Sequence, residues 1–324
     1  MDEAVLTPTK RLRVFSGRSN PPLAKAIAAR LDTELGGVQL ETFADGDAYC
    51  RFTESVRGAD VFLVQTAVAP IDVHLVELMM MIDAARLASA KRITAVVPRF
   101  FYARQDRKSA PREPITARVV AEMIESAGAN RVLTMDLHAG QVQGFFHIPV
   151  DHMTALPMFA QRFRELAAGR DAVVVAPATT RAKQGSWLAE MLQAELAIMN
   201  DDPEVSGRGM TILGEVEGKV ALVLENGIGT GEWFGRAAEE LVEMGATSVS
   251  ACATHAASTA GAAARLARSP LEHILVTDTV PIDEALRSPR LEVLSVASLL
   301  AETIFNVFSS ESVSAIFVGE SQLF

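Results

Sequence analysis

Cysteine is scarce in this chain of 324 residues: Cys50 and Cys252 are far apart and lack metal-ligand spacing. That excludes a disulfide framework and a thiolate zinc site, and it fits thiols in a reducing compartment. Aromatic residues are few, at 6%, and they are not interleaved with a basic stripe. Basic residues are outnumbered 30 to 40, giving a net charge of −10. Broad nucleic-acid binding is excluded on that ground, because a phosphate backbone needs concentrated positive charge and stacking platforms. Long apolar runs are missing too: charges interrupt each one before membrane-spanning length. The opening MDEAVLTPTKRLRVF contains no apolar segment of the signal-peptide kind. A soluble, cytoplasmic protein with no membrane partner is expected. Small phosphorylated ligands stay open, since a few local arginines suffice for them.

What is present is a chain 49% hydrophobic and long enough for about two domains. Arg13 to Gly17, Val61 to Gln65, Ile93 to Val97 and Val132 to Met135 read as strands. Between them Pro22 to Leu35, Val73 to Ala90 and Thr116 to Ala127 carry helical spacing of apolar residues. The Met79 to Met81 run reads as packing, since thioethers fill irregular core gaps. After the polar stretch Gly169 to Asp171 the pattern returns. Strands are expected at Ala172 to Val175, Leu196 to Met199 and Ala221 to Leu224, then near Ser248 to Ala251, Ile274 to Thr277 and Val293 to Val296. Helices are expected at Ser186 to Ala194, Arg236 to Val242 and Ala297 to Phe308. Such alternation predicts an α/β fold with mostly parallel sheets flanked by helices, and ligands at the carboxyl ends of strands. A boundary near Asp151 to Thr154 divides residues 1–152 from 153–324, with the last helix and tail expected to pack back on the first domain.

Three stretches could carry chemistry. Ala221 to Val242 reads strand, glycine loop, helix, with Gly227, Gly229 and Gly231 allowing tight turns, and a loop so built can cradle phosphate on backbone N–H groups. Glu225 and Glu232 place carboxylates in that cradle. Arg99 to Arg118 follows a buried strand, where Arg104, Gln105 and Asp106 suit a nucleotide, guanidinium on phosphate and amide on a base or ribose edge. A solvated basic loop would have the same composition. Asp136-Leu137-His138 ends the next strand and puts a histidine where it could meet a metal or phosphate.

Together these motifs resemble ribose-phosphate pyrophosphokinase, the PRPP synthetase family. The resemblance runs through FSGRSNPPLA (15–24), FADGD (43–47), ESVRGADVFLVQ (54–65), YARQDRK (102–108), MDLHAGQVQGFFHIPVD (135–151), ATHA (253–256) and ESVSAIF (311–317). It implies two tandem phosphoribosyltransferase-like domains, dimers or larger rings, and transfer of diphosphate from Mg-ATP to ribose 5-phosphate. It also implies a nucleotide site of Phe43, Asp45 and Asp47 from one subunit with Arg104, Gln105 and Asp106 from its neighbour, and His138 beside the metal. Ser109 falls where the family usually has another aspartate, and His255 in ATHA matches a family position.

The second half departs from the family pattern. Its SPDxGG motif aligns with Ala176 to Arg181, so Ala178 replaces the metal-associated aspartate and Arg181 takes a glycine position. Asp201 and Asp202 stand where a basic pair reaches over the transferring phosphates. In the ribose-phosphate loop Glu225 keeps one acid of a pair, Asn226 replaces the other, Gly229 replaces the leading aspartate, and Glu232 and Trp233 replace a glycine and a threonine. Thr230 and Gly231 are unchanged. Losing a preorganised donor costs about 10²–10³ in rate, and a cationic finger contributes about 10³–10⁵. The expectation is therefore a catalytically impaired member, binding ATP or ADP with Mg²⁺ and acting as a regulatory or assembly subunit. It would form a homo-oligomer or a mixed oligomer with an intact PRPP synthetase. The alternative is an active ribose-phosphate pyrophosphokinase; a third reading is an enzyme of altered substrate.

Overall fold

The computed structural model describes residues 11–177, 181–200 and 210–313. The described residues divide into two compact units, Met153–Val296 forming one, and 11–152 with 297–313 forming the other. In the first unit β1 (Leu12–Ser16) leads into α1 (Pro21–Arg30), whose first turn is capped by the Asn20 side chain accepting from Leu23 N–H. The periodicity predicts this helix to Leu35, but it stops at Arg30. Asp32 turns to φ 51°, and Leu35 returns to bridge Val14 beside β1.

Next comes a pair absent from the sequence reading. β2 (Val38–Thr42) and β3 (Ala48–Phe52) form a separate antiparallel hairpin, half-buried to exposed along its length. Then β4 (Asp60–Val64), α2 (Ile71–Leu87), β5 (Arg92–Val97), α3 (Thr116–Ala127), β6 (Arg131–Met135) and β7 (Val150–Met153) complete a five-stranded sheet of order β1-β4-β5-β6-β7. β1, β4, β5 and β6 run parallel. α3 has the predicted bounds: Ala117, Val120, Ala121 and Ile124 face the core, and Gly128 at φ 118° ends it in the left-handed conformation. Phe15, Leu63, Leu78, Met81, Ile82 and Phe101 are fully buried there. Each contributes roughly 1.5–3 kcal/mol of apolar burial, and Met81 is core, as its run predicts.

The second unit begins with α4 (Leu156–Ala167), which the sequence reading passed over although Leu156, Phe159, Ala160 and Phe163 share its buried face. β8 (Ala172–Pro177), α5 (Ala182–Leu192), β9 (Glu195–Asn200), β10 (Thr211–Leu213), β11 (Val220–Gly229), α6 (Glu232–Glu243), β12 (Ser248–Ser258), α7 (Ala262–Arg268), β13 (His273–Thr277) and β14 (Leu291–Leu294) follow. The seven strands order as β10-β9-β8-β11-β12-β13-β14, parallel except where β10 meets β9. α5 starts at Ala182, four residues before the expected Ser186. Gly185 lies against Ala176, where an added Cβ would stand 2.7 Å from the alanine Cβ. The glycine thus permits a close helix–strand approach and does not break the helix. The last helix, α8 (Ala297–Ser309), belongs to the first unit, beside α1. Among the described residues no helix is long and apolar enough to cross a membrane.

Candidate active site

Because β1, β4, β5 and β6 run parallel, their carboxyl ends share one edge, and a buried polar cluster is built on it. Glu77, 2% exposed on α2, accepts from Arg18 N–H at 2.7 Å, from the Arg18 guanidinium Nε, and from Gln65 Nε2 at 2.7 Å. Gln65 Oε1 accepts from Ser19 N–H at 3.1 Å, and Ser19 Oγ accepts from Thr66 N–H at 2.8 Å. Thr66 Oγ1 in turn accepts from Arg99 N–H at 3.0 Å, so the cluster reaches the start of the arginine-rich segment. Burial, with Arg104 nearby, lowers the Arg99 pKa. Burial and Glu77 push the Cys50 thiol up to about 11, so Cys50 is no nucleophile.

The predicted nucleotide residues lie on exposed turns. Phe43, Asp45 and Asp47 form the β2–β3 turn: Phe43 N–H donates to Asp47 O at 2.8 Å, and Asp45 Oδ1 accepts from Asp47 N–H at 3.2 Å. The Phe43 ring is 51% exposed and sits 5.6 Å from the Tyr49 ring, leaving an aromatic face in solvent. The Arg18 guanidinium Nη1 donates to Thr42 Oγ1 at 3.2 Å, tying this turn to the buried cluster. Arg104 and Gln105 are exposed and Asp106 half-buried; Gln105 N–H donates to Tyr102 O at 2.9 Å. Ser109 N–H and Ala110 N–H donate to Glu113 at 2.8 and 2.9 Å, an internal brace for the segment.

Asp136-Leu137-His138 follows β6, next to the end of β5, where Met135 N–H donates to Pro98 O at 3.1 Å. Asp136 has φ 35° and His138 is exposed. Behind the turn lies His152, which the sequence reading missed: its Nε2 accepts from Leu137 N–H at 2.9 Å. On its other side the ring nitrogen Nδ1 lies 3.2 Å from the Gln143 amide nitrogen. Burial lowers the His152 pKa against the opposing pull of Asp136. Among the described residues no three His, Cys, Asp or Glu side chains converge on a metal-sized space. A magnesium ion fits this donor set only with few protein ligands, its shell completed by water and phosphate oxygens, which is its usual habit in nucleotide sites.

In the second unit the strand order defines the crevice. From β8 the chain proceeds outward to β9 and β10, and from β11 it proceeds the other way to β12, β13 and β14. The β8/β11 pair is therefore the topological switch point, where open α/β sheets bind ligands beyond the carboxyl strand ends. Arg181, the residue before α5, and Glu225, near the end of β11, flank it. Arg181 Nε lies 3.7 Å from the Glu225 carboxylate, with the Arg181 side chain only 11% exposed. Its Nη1 donates to Gln184 Oε1 at 2.9 Å.

The supposed glycine loop is mostly strand. β11 runs through Gly229 instead of ending at Leu224, pairing Glu225 with Ala253 and Gly227 with His255, and its register shifts between Gly227 and Gly229. β12 extends correspondingly to Ser258, past the expected Ala251. Only Thr230 and Gly231 separate β11 from α6, which begins at Glu232, before the expected Arg236. Gly231 has φ 72°, and Thr230 Oγ1 accepts from Glu232 N–H at 3.3 Å. Thr230 O accepts from Arg265 Nη1 at 3.1 Å, Asn226 N–H donates to its neighbour Glu225, and Glu232 is exposed at the helix N-terminus. Trp233 turns onto Phe234, ring centroids 5.6 Å apart. His255 is buried, its Nδ1 2.9 Å from Thr279 Oγ1, a core partner and no nucleophile–base pair. Ala178, Asp201 and Asp202 lie outside the described residues.

Two tandem α/β units with mostly parallel sheets flanked by helices are the phosphoribosyltransferase-like class of fold. Residues 12–128 match the N-terminal domain of ribose phosphate pyrophosphokinase, and 204–318 match the phosphoribosyl synthetase-associated domain. The chain belongs to the ribose-phosphate pyrophosphokinase family. It is 44% identical over 311 residues to the ribose-phosphate pyrophosphokinase of Caldanaerobacter subterraneus subsp. tengcongensis, covering 95% of this chain and 98% of the relative. To that of Nostoc sp. it is 44% identical over 315 residues, 96% and 95% covered. The crystal structure of phosphoribosylpyrophosphate synthetase from Mycobacterium smegmatis superposes with a TM-score of 0.88 at 41% identity, over 93% of this chain and all of that one.

Proposed function

We propose that the chain is a ribose-phosphate pyrophosphokinase, transferring diphosphate from ATP to the anomeric hydroxyl of ribose 5-phosphate and releasing AMP. The observation that carries this reading is the 44% identity over nearly the whole length of a ribose-phosphate pyrophosphokinase. It favours turnover over the impaired subunit that the replaced motifs suggest. Residues 1–152 would hold the nucleotide and 153–324 the sugar phosphate, in the cytoplasm and in a homo-oligomer whose neighbouring subunits share the nucleotide site. Phe43 offers a base its exposed ring face, Arg104 a phosphate its guanidinium, and Gln105 and Asp106 orient the rest. Asp45 and Asp47 would meet the nucleotide, and His138 would stand beside the ion. Bound magnesium would neutralise the β- and γ-phosphate charge that develops during transfer.

A second reading stays in play on one specific observation: Glu232 stands at the N-terminus of α6, where a 5-phosphate would otherwise meet bare N–H groups. On that reading the protein binds nucleotide, turns over nothing, and regulates or assembles with an intact family member. One assay separates the two. Purified protein with Mg-ATP and ribose 5-phosphate is expected to release AMP and PRPP in equal amounts, at a rate reduced by the altered second unit. Absence of AMP above the no-enzyme control, with ATP binding still seen by calorimetry, overturns the first reading in favour of the second.

A further inference from the structure

We propose that Arg181 is a built-in plug of the switch-point crevice: by pairing with Glu225 it occupies the ground a sugar hydroxyl must reach, and it sets how weakly ribose 5-phosphate binds. The inference rests on the reading of this crevice as the ribose-phosphate site.

β8 and β11 are parallel neighbours, Val175 opposite Val223, so the carboxyl ends of both strands open on one crevice mouth. Arg181 comes from one side and Glu225 from the other, 3.7 Å apart. The guanidinium is already committed. Nε faces Glu225, Nη1 donates to Gln184, and 11% of the side chain meets solvent. A ligand phosphate finds little of it to bind, so Arg181 acts as an occupant and not as an anchor. The Glu225 carboxylate is likewise engaged, by Asn226 N–H and by Arg181. A diol approaching Glu225 must first displace a guanidinium from a mostly buried position, and that separates a charge pair shielded from water. The backbone of the cradle needs no change: Gly231 and the α6 N-terminus are in place, so the obstacles are this side chain and the Glu232 carboxylate at the helix N-terminus.

The test is ribose 5-phosphate binding by calorimetry to the full-length protein, comparing wild type with Arg181→Ala and Arg181→Gln. The second variant keeps most of the volume and serves if the first fails to fold. At least tenfold tighter binding is expected in both, with ATP affinity unchanged. Equal or weaker binding in a folded variant overturns the proposal. AMP release by wild type is scored separately. Turnover in wild type with no gain on removing Arg181 refutes the plug and keeps the proposed activity. No turnover in wild type with a gain in the variants does the reverse.

Discussion

Replacing Glu77 with alanine removes the acceptor of two 2.7 Å hydrogen bonds, from Arg18 N–H and Gln65 Nε2, together with the partner of the Arg18 guanidinium. The guanidinium is 36% exposed and rehydrates when freed, so little of the cost is Coulombic. The cost falls on the donors left behind, above all Gln65, which is fully buried. Each unmet buried donor costs about 1–3 kcal/mol. Glu77→Ala is therefore expected to destabilise its unit by about 3 kcal/mol, which at roughly 2–4 °C per kcal/mol lowers Tm by about 6–12 °C. Glu77→Gln keeps the shape and one acceptor, so its loss should be about half as large. Differential scanning calorimetry reads both, and a drop of less than about 2 °C for the alanine variant refutes the reasoning. The same variants carry a functional readout. Arg18, once released by Glu77, no longer holds Thr42, so the Phe43 turn loses its tether and ATP affinity should fall with Tm. A melting shift with unchanged ATP titration would refute that link.

Three further outcomes follow from the same geometry. Glu232→Gln should act with opposite signs: loss of a carboxylate at a helix N-terminus costs about 0.3–1 kcal/mol of stability. Removing its repulsion should tighten inorganic phosphate binding by about 1–2 kcal/mol, roughly 5- to 30-fold. Melting and phosphate titration check the two, and weaker phosphate binding refutes the placement of the cradle. Gly231→Ala forces a side chain onto φ 72° with its Cβ 3.1 Å from Ala262 O, and should cost roughly 1–3 kcal/mol by denaturant unfolding. Burial holds His152 neutral below its ordinary pKa of 6.5. Its depressed folded pKa means that the unfolded chain takes up the proton first as pH falls. The stabilising contribution is full above 6.5 and fades below it, toward the folded pKa. His152→Gln should lower stability at pH 8 and flatten the acid limb of the pH–Tm curve, and an unchanged acid limb counts against it.

The strands and the helix α3 were legible because their signals are local: apolar runs for β4, β5 and β8, and a helical stripe ending in Gly128 for α3. The β2–β3 hairpin was not, because VQLET and AYCRF are half-buried and mix polar with apolar residues without clean alternation. β11 was cut short for the opposite reason. Gly227 and Gly229 look like loop residues, yet beyond the last β8 partner at Val223 they pair on with His255 and Ser258 of β12, and the register shift between them absorbs their freedom. Candidate residues carried by motifs, such as Phe43, Arg104 and His138, can be named from the chain alone. Those that act by pairing were not: Arg18 and Glu77 lie 59 residues apart, and nothing local marks a glutamate on an apolar helix face as a guanidinium's partner. Arg181 and Glu225 make the same point at the crevice. Taken singly, the family pattern reads Glu225 as a retained ribose acid and Arg181 as a replaced glycine. Joined at the switch point they are one ion pair, and its consequence for ligand binding belongs to neither residue alone. Restoring the acidic residue at Asn226 while Arg181 remains would add a second carboxylate for the same guanidinium to hold.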